Sequence, residues 1–267
     1  INGIPDWVYE EEFSTNCSYD WSADSKVIAY IRYDESEVMN YDMPMYIPST
    51  NKVEYDPYVT PYSYKYPVAG APNSKVSVHT FDVKSRVTRQ LKLEIDPESY
   101  IPRIRFTKDP QTLAVITLNR HQNTMDVFAA NPLSGLCKRI LREQSDTYLN
   151  ESTYAGIEFF DKHIILHSER SGYNHLYLYT IGGDYVRPIT EGNYEVTGFI
   201  GWDQKKNEFY YNSNEGSPLR SNAYKIDKKG RKTRLTKGDG TNSTIFSAGM
   251  KYFINTYSSI DTPHTVT

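Results

Sequence analysis

Short β-rich runs alternate along this chain with polar turns that carry Gly, Asp, Asn or Pro. Ile164-Ile165-Leu166-His167 is followed by Ser171-Gly172, then by Leu176-Tyr177-Leu178-Tyr179 and Gly182-Gly183-Asp184. The same order returns as Phe209-Tyr210-Tyr211, Gly216-Ser217-Pro218, Ala223-Tyr224-Lys225-Ile226 and Lys229-Gly230, ending in Arg234-Leu235-Thr236. Paired runs joined by Gly-bearing connections predict β-hairpins. One further Gly/Ser cluster, Gly240-Thr241-Asn242-Ser243, reads like Gly216-Ser217-Pro218 as a hairpin turn.

A longer period overlies these hairpins. Aromatic-led segments recur at Trp21-Ser22-Ala23-Asp24, Phe106-Thr107-Lys108-Asp109, Phe160-Asp161-Lys162, Trp202-Asp203-Gln204 and Phe246-Ser247-Ala248-Gly249. The last three starts are 42 and 44 residues apart, close to the roughly 40–50 residues of a four-stranded propeller blade. The expectation is an all-β chain of propeller blades, with a two-sheet sandwich as the alternative.

One stretch breaks the period. The interval from Trp21 to Phe106 is nearly double the later spacing, and it contains Pro44, Pro48, Pro57, Pro61, Pro67 and Pro72. Proline removes a ladder donor, so the insertion, about residues 38–72, is either an edge ribbon leaving its blade as an arm or a long loop packed on it. Tyr41, Tyr46, Tyr55, Tyr58, Tyr62 and Tyr64 would give such an arm a protein contact surface.

Composition narrows the partners. The 267 residues carry 30 Lys plus Arg against 33 Asp plus Glu, a net charge of −3 that offers no polycation to nucleic acid. Aromatics reach 14% and Tyr occurs 24 times, which favours strands. No apolar stretch approaches the roughly 18–20 residues of a membrane span, and nothing in the chain resembles a charged leader followed by an apolar signal core. Cys17 and Cys137 define neither a disulfide framework nor a zinc site. His163 and His167 would share a metal on a helix, but the residues between them read as a strand, where four residues span about 13 Å. No metal and no cofactor is expected.

The run with most chemical content is Asp6-Trp7-Val8-Tyr9-Glu10-Glu11-Glu12. Consecutive carboxylates among aromatics can hold a protonated amine through charge-assisted hydrogen bonds, and a peptide N-terminus, with a pKa near about 7.7–8.0, is such a group at neutral pH. The alternative is a short helix opened by Pro5 and Asp6, with the glutamates on its solvated face.

The segment Gly3-Ile4-Pro5-Asp6-Trp7-Val8-Tyr9-Glu10-Glu11-Glu12, then Trp21-Ser22 with Ile28-Ala29-Tyr30, and Tyr64-Lys65-Tyr66-Pro67-Val68-Ala69-Gly70-Ala71-Pro72-Asn73 resemble the propeller domain of the dipeptidyl peptidase IV family. Leu118-Asn119-Arg120, Met125-Asp126, Gly172-Tyr173-Asn174-His175 and Ile189-Thr190-Glu191-Gly192 extend the likeness through nearly the whole chain. The resemblance implies that residues 1–267 form about five four-stranded blades of an eight-bladed propeller, with a short helix carrying the glutamates. It implies a serine exopeptidase that releases Xaa-Pro or Xaa-Ala dipeptides, in which Glu11 and Glu12 bind the substrate ammonium and Glu10 supports the helix. A partner α/β-hydrolase domain of the same protein, a homodimer through an arm at about 41–66, and a periplasmic, envelope or secreted location are further implications.

Two features limit what carries over. No G-x-S-x-G elbow occurs, so the Ser-Asp-His triad and its domain are expected to be absent from this chain, which alone would be inactive. The resemblance also implies a cysteine just after Met125-Asp126, where this chain has Phe128, leaving Cys137 as a free thiol. A Phe-Arg pair that lines the substrate cavity in mammalian members falls near Glu151-Ser152-Thr153-Tyr154, so Tyr154 either takes that role or packs on a blade. A non-catalytic binding propeller and a prolyl tripeptidyl peptidase are the alternatives in function.

Overall fold

The structure, a computed structural model, describes residues 1–45 and 59–267. They form two compact units, Ile1–Arg142 and Glu143–Thr267. Among the described residues the strands make four four-stranded sheets, one three-stranded sheet and a two-stranded ribbon.

The first unit opens with helix α1 (Trp7–Phe13) and strands β1 (Tyr19–Trp21) and β2 (Val27–Asp34). It continues through β3 (Asn40–Met45), β4 (Thr60–Lys65), β5 (Lys75–Asp82) and β6 (Val87–Gln90), then β7 (Tyr100–Phe106), β8 (Leu113–Leu118), β9 (Thr124–Ala130) and all but the last two residues of β10 (Cys137–Gln144). The first sheet runs β1-β2-β5-β6 and the second β10-β9-β8-β7. In β2 buried Val27, Ala29, Ile31 and Tyr33 alternate with more exposed residues, the period-two pattern of a strand with one buried face. Strand β8 is buried at all its positions, covered on both faces like a central strand.

The interrupted period has a simple topological cause. The β3–β4 ribbon is inserted between β2 and β5, which pair directly in the first sheet. Pro44 and Pro61 stand opposite each other in the ribbon, so two missing donors share one rung. Tyr41, Tyr62 and Tyr64 form a chain of ring contacts that reaches Tyr66, and Tyr66 packs against Trp7 of α1 at 4.3 Å between centroids. Tyr46, Pro48, Tyr55, Pro57 and Tyr58 lie outside the described residues.

The second unit holds α2 (Glu151–Ala155), β11 (Glu158–Phe159), β12 (His163–Ser168), β13 (His175–Thr180) and β14 (Tyr185–Pro188). A further sheet comprises β15 (Val196–Asp203), β16 (Glu208–Ser213), β17 (Asn222–Ile226) and β18 (Lys232–Arg234). The three-stranded sheet is β19 (Thr241–Phe246), β20 (Phe253–Ser259) and β21 (Thr262–Val266). Ile165, Leu176, Leu178, Val196, Phe209 and Tyr211 belong to one buried cluster, with Trp202 stacked on Phe209 at 4.9 Å.

The aromatic period marks one recurrent position. Trp21, Phe106 and Phe246 end β1, β7 and β19, Phe160 directly follows β11, and Trp202 is the penultimate residue of β15. Each therefore closes the first strand of its sheet, just before the turn into the second. Backbone bonds from Ser22 N to Val27 O, Thr107 N to Thr112 O, Phe160 N to His163 O and Ser247 N to Tyr252 O tie four of those turns.

One sequence expectation needs correction. Thr241-Asn242-Ser243 is strand β19, not a hairpin turn. Asn242 is buried, and its amide donates to Asn222 Oδ1 at 3.0 Å while its backbone N–H donates to Ser221 O. Asn255 in turn donates to Asn242 Oδ1 at 2.9 Å, so a ladder of amides replaces the apolar contacts that would have marked this strand in the sequence.

His163 and His167 sit at the two ends of one strand, opposite Thr180 and Leu176. His163 meets the edge of Trp202, whereas His167 is buried with its Nδ1 3.2 Å from the Asn174 amide nitrogen. Burial pushes the His167 pKa down to about 4. A folded-state pKa below the ordinary value of about 6.5 means that stability is complete above 6.5 and is lost as pH falls toward 4. The loss is expected to approach about 3 kcal/mol, and His167→Gln should flatten that part of the pH profile in denaturant unfolding at pH 7 and pH 4.5.

Candidate functional site

Helix α1 is short, and its ends are fixed by specific bonds rather than by length. Asp6 is the N-cap, with extended backbone, and its Oδ1 accepts the Tyr9 N–H at 3.0 Å. Its other oxygen accepts the Ser74 hydroxyl, which links the cap to the turn before β5. Replacing Asp6 with Ala removes both acceptors from a buried position. The change is expected to cost about 1–3 kcal/mol in denaturant unfolding, with Asp6→Asn costing less because it keeps an oxygen for Tyr9 N.

The other end closes on Ser14, whose φ of 48° is left-handed, and Thr15 N donates back to Tyr9 O at 3.2 Å. Val8, Tyr9 and Phe13 are buried, and Glu10, Glu11 and Glu12 are exposed. Tyr9 and Phe13, one turn apart, enter an aromatic cluster with Tyr33 of β2 and Tyr100 of β7 at centroid distances from 4.8 to 6.2 Å. Burial raises the Tyr9 phenol well above its ordinary range, and its oxygen accepts the Ile101 N–H at 2.8 Å.

This anchoring leaves the acidic face to solvent. Among the described residues, the carboxylates of Glu10, Glu11 and Glu12 make no hydrogen bond or ion pair. Glu12 lies within electrostatic reach of Tyr100, whose phenol is raised first by burial and further by that charge, against the opposing pull of Arg120. Arg120 sits 5.7 Å from the Tyr100 ring centroid, and Asn73 donates its amide to the Tyr100 oxygen at 2.9 Å. Two adjacent carboxylates in the last turn of a seven-residue helix, unneutralised and held by a buried opposite face, have free oxygens that can accept hydrogen bonds from a cation.

Tyr154 belongs to the second unit, on α2, whose N-cap Asn150 accepts the Ser152 N–H at 3.0 Å. Its side chain is 0% exposed, so in this conformation it has no face to offer a ligand. A cleft of about 340 Å³ in the same unit is lined by Glu143, Asp146, Tyr148 and Arg170, among others. Glu143 there is already bonded to Arg170 and Ser168. Cys17 and Cys137 are free thiols, and burial raises the Cys137 pKa to about 11.

Sequence reasoning missed Arg103. Its guanidinium donates to Phe13 O at 2.5 Å and to Thr15 Oγ1, the carbonyl and hydroxyl that follow the glutamates. The available signal was Pro102, which interrupts a strand-like run and so marks a bulge.

The family model described as the dipeptidyl peptidase IV N-terminal region matches residues 1–264. A probable dipeptidyl peptidase 4 of Emericella nidulans is 27% identical over 283 residues, covering 99% of this chain and 36% of that protein. Dipeptidyl aminopeptidase B of Saccharomyces cerevisiae is 27% identical over 292 residues, with 99% and 34% covered. The chain thus spans about a third of the length of these relatives. The crystal structure of Porphyromonas gingivalis dipeptidyl peptidase 4 superposes with a TM-score of 0.92 at 43% identity, over 100% of this chain and 37% of that one. A putative dipeptidyl aminopeptidase IV from Bacteroides ovatus, at 23% identity and a TM-score of 0.82, shares the fold. From its first residues, through the capped helix and the four-stranded sheets, this chain belongs to the dipeptidyl peptidase IV N-terminal region family.

Proposed function

We propose that this region recognises the N-terminal ammonium of peptides for a dipeptidyl peptidase IV-like serine exopeptidase that releases Xaa-Pro or Xaa-Ala dipeptides. The observation that carries the reading is the exposed Glu11–Glu12 pair, without partners among the described residues, on a helix whose opposite face is buried. The two carboxylates supply acceptors for the three N–H donors of an ammonium. A fixed ammonium acts as a ruler. It sets how many residues lie between the amine and the nucleophile, so the cleaved bond follows from geometry.

Hydrolysis falls in this proposal to a C-terminal α/β-hydrolase domain of the longer protein. The sheets act as blades of a propeller over it, and the ribbon with exposed Tyr41 and Tyr62 takes part in a homodimer of a periplasmic, envelope or secreted enzyme. Reporters separate the possibilities. The full-length protein is expected to cleave Gly-Pro reporters, to lose at least about 10²-fold in kcat/KM when the amine is acetylated, and to act poorly on Ala-Ala-Pro. Equal cleavage of free and acetylated Gly-Pro would remove the ammonium from the mechanism. Preference for Ala-Ala-Pro would point to a tripeptidyl peptidase.

A further inference from the structure

We infer that Arg103, on β7, is a positioning residue for the Glu11–Glu12 pair, holding the end of α1 so that both carboxylates converge on one cation. The inference rests on the ammonium-recognition reading above and extends it to a residue that touches no substrate.

Neighbouring helical residues point about 100° apart, so Glu11 and Glu12 meet at one point only where the helix is ending. The geometry of that end is therefore the geometry of the site. A helix of seven residues has little ladder of its own to define it, and its last carbonyls need outside partners. Arg103 supplies one. One arm of its guanidinium bonds Phe13 O, the carbonyl of the residue directly after Glu12, and the other bonds both Thr15 Oγ1 and Pro102 O. Thr15 is buried and its hydroxyl also donates to Phe13 O at 3.2 Å, so guanidinium, hydroxyl and carbonyl close on one another. The planar fork makes this a fixed brace rather than a point attraction. The same cation at a helix C-terminus also offsets the dipole and the repulsion between two adjacent carboxylates.

Strand β7 is shaped for this. Tyr100 pairs with Leu118 and Arg103 with Ile116, so Ile101 and Pro102 stand opposite the single residue Thr117. That bulge takes the Ile101 N–H out of the ladder and directs it to the Tyr9 hydroxyl, and it directs Arg103 to Phe13. Ile101 in the bulge and Arg103 just after it thus hold α1 at Tyr9 and at Phe13.

The test uses the full-length peptidase and a Gly-Pro reporter, with kcat and KM measured for Arg103→Ala, Arg103→Lys, Thr15→Val, Glu11→Gln and Glu12→Gln. Arg103→Ala is expected to raise KM about 10-fold while kcat changes less than about 3-fold, the split of lost substrate binding. Arg103→Lys, which keeps the charge and a donor for Phe13 O but loses the planar fork, should lie between Arg103→Ala and the parent, with KM raised about 3- to 5-fold. Thr15→Val removes one arm of the brace at nearly constant volume and should raise KM about 3-fold, which keeps the test alive if Arg103→Ala fails to fold. If the glutamate variants raise KM while Arg103→Ala and Thr15→Val do not, the brace is refuted and ammonium recognition stands. If the glutamate variants leave KM unchanged, both are refuted. A kcat loss common to Ala and Lys at position 103 would also overturn the positioning role.

Discussion

Glu11→Ala and Glu12→Ala forms of the full-length protein are each expected to lose about 10²-fold or more in kcat/KM toward a Gly-Pro reporter. An ammonium about 4 Å from a carboxylate gains roughly 4 kcal/mol at an effective dielectric of about 20, and part of that is offset by desolvation. A remainder near 3 kcal/mol corresponds to about 10²-fold. Removing either carboxylate also leaves some of the ammonium N–H groups without acceptors, which adds to the loss once the site is closed to water. The pair acts as one unit, so the double variant should fall well short of the product of the two single losses. Glu10→Ala removes the same charge from the same exposed stretch without touching the pair, and a change of less than about 3-fold is expected there. A loss for Glu10→Ala as large as that for Glu12→Ala would mean that the run acts by bulk charge and not as a shaped acceptor.

The legible parts of the sequence were those where local rules and tertiary structure agree. Ile164–His167, Leu176–Tyr179, Phe209–Tyr211 and Ala223–Ile226 all lie within strands, because each is a run of β-formers bounded by residues that favour turns. The aromatic period was legible for a related reason. Trp202 and Phe246 stack on Phe209 and Phe253 of the next strand in their own sheets, so there the sheet repeat appears in the sequence as an aromatic repeat. Strand β19 was hidden because its buried residue is Asn242, satisfied by the amides of Asn222 on β17 and Asn255 on β20, partners that no local pattern records. The short helix was legible from Pro5, Asp6 and the acidic first turn, and the structure shows the cap accepting Tyr9 N as that pattern implies. What the run could not reveal was how its end is held, since Arg103 lies 90 positions away from Phe13 and reaches it through a bulge.

Phe13→Ala should be among the most destabilising single changes in the first unit, and it should disable the site without altering a single charge. Phe13 is 0% exposed and meets Tyr9 and Tyr100 edge-on, each at 5.1 Å. Truncating such a ring costs about 3–5 kcal/mol, from lost transfer energy and from the cavity that remains. Loss of two edge-on ring contacts belongs to that cost and should not be added to it. For a helix of seven residues the consequence is local as well as global, because α1 owes its order to tertiary packing and not to its own ladder. With the Phe13 ring gone, Tyr9 and the Asp6 cap hold the first turn, and the last turn, which carries Glu11 and Glu12, loses its apolar anchor and is left with the Arg103 bonds. Phe13→Leu should cost much less, since it refills most of the volume. Two measurements then separate stability from site geometry: denaturant unfolding, and KM for a Gly-Pro reporter at a temperature where each variant is fully folded. The expectation is a raised KM for Phe13→Ala even under fully folded conditions, and a KM near the parent for Phe13→Leu. A folded Phe13→Ala enzyme with parental KM would show that the glutamates keep their geometry without the core beneath them.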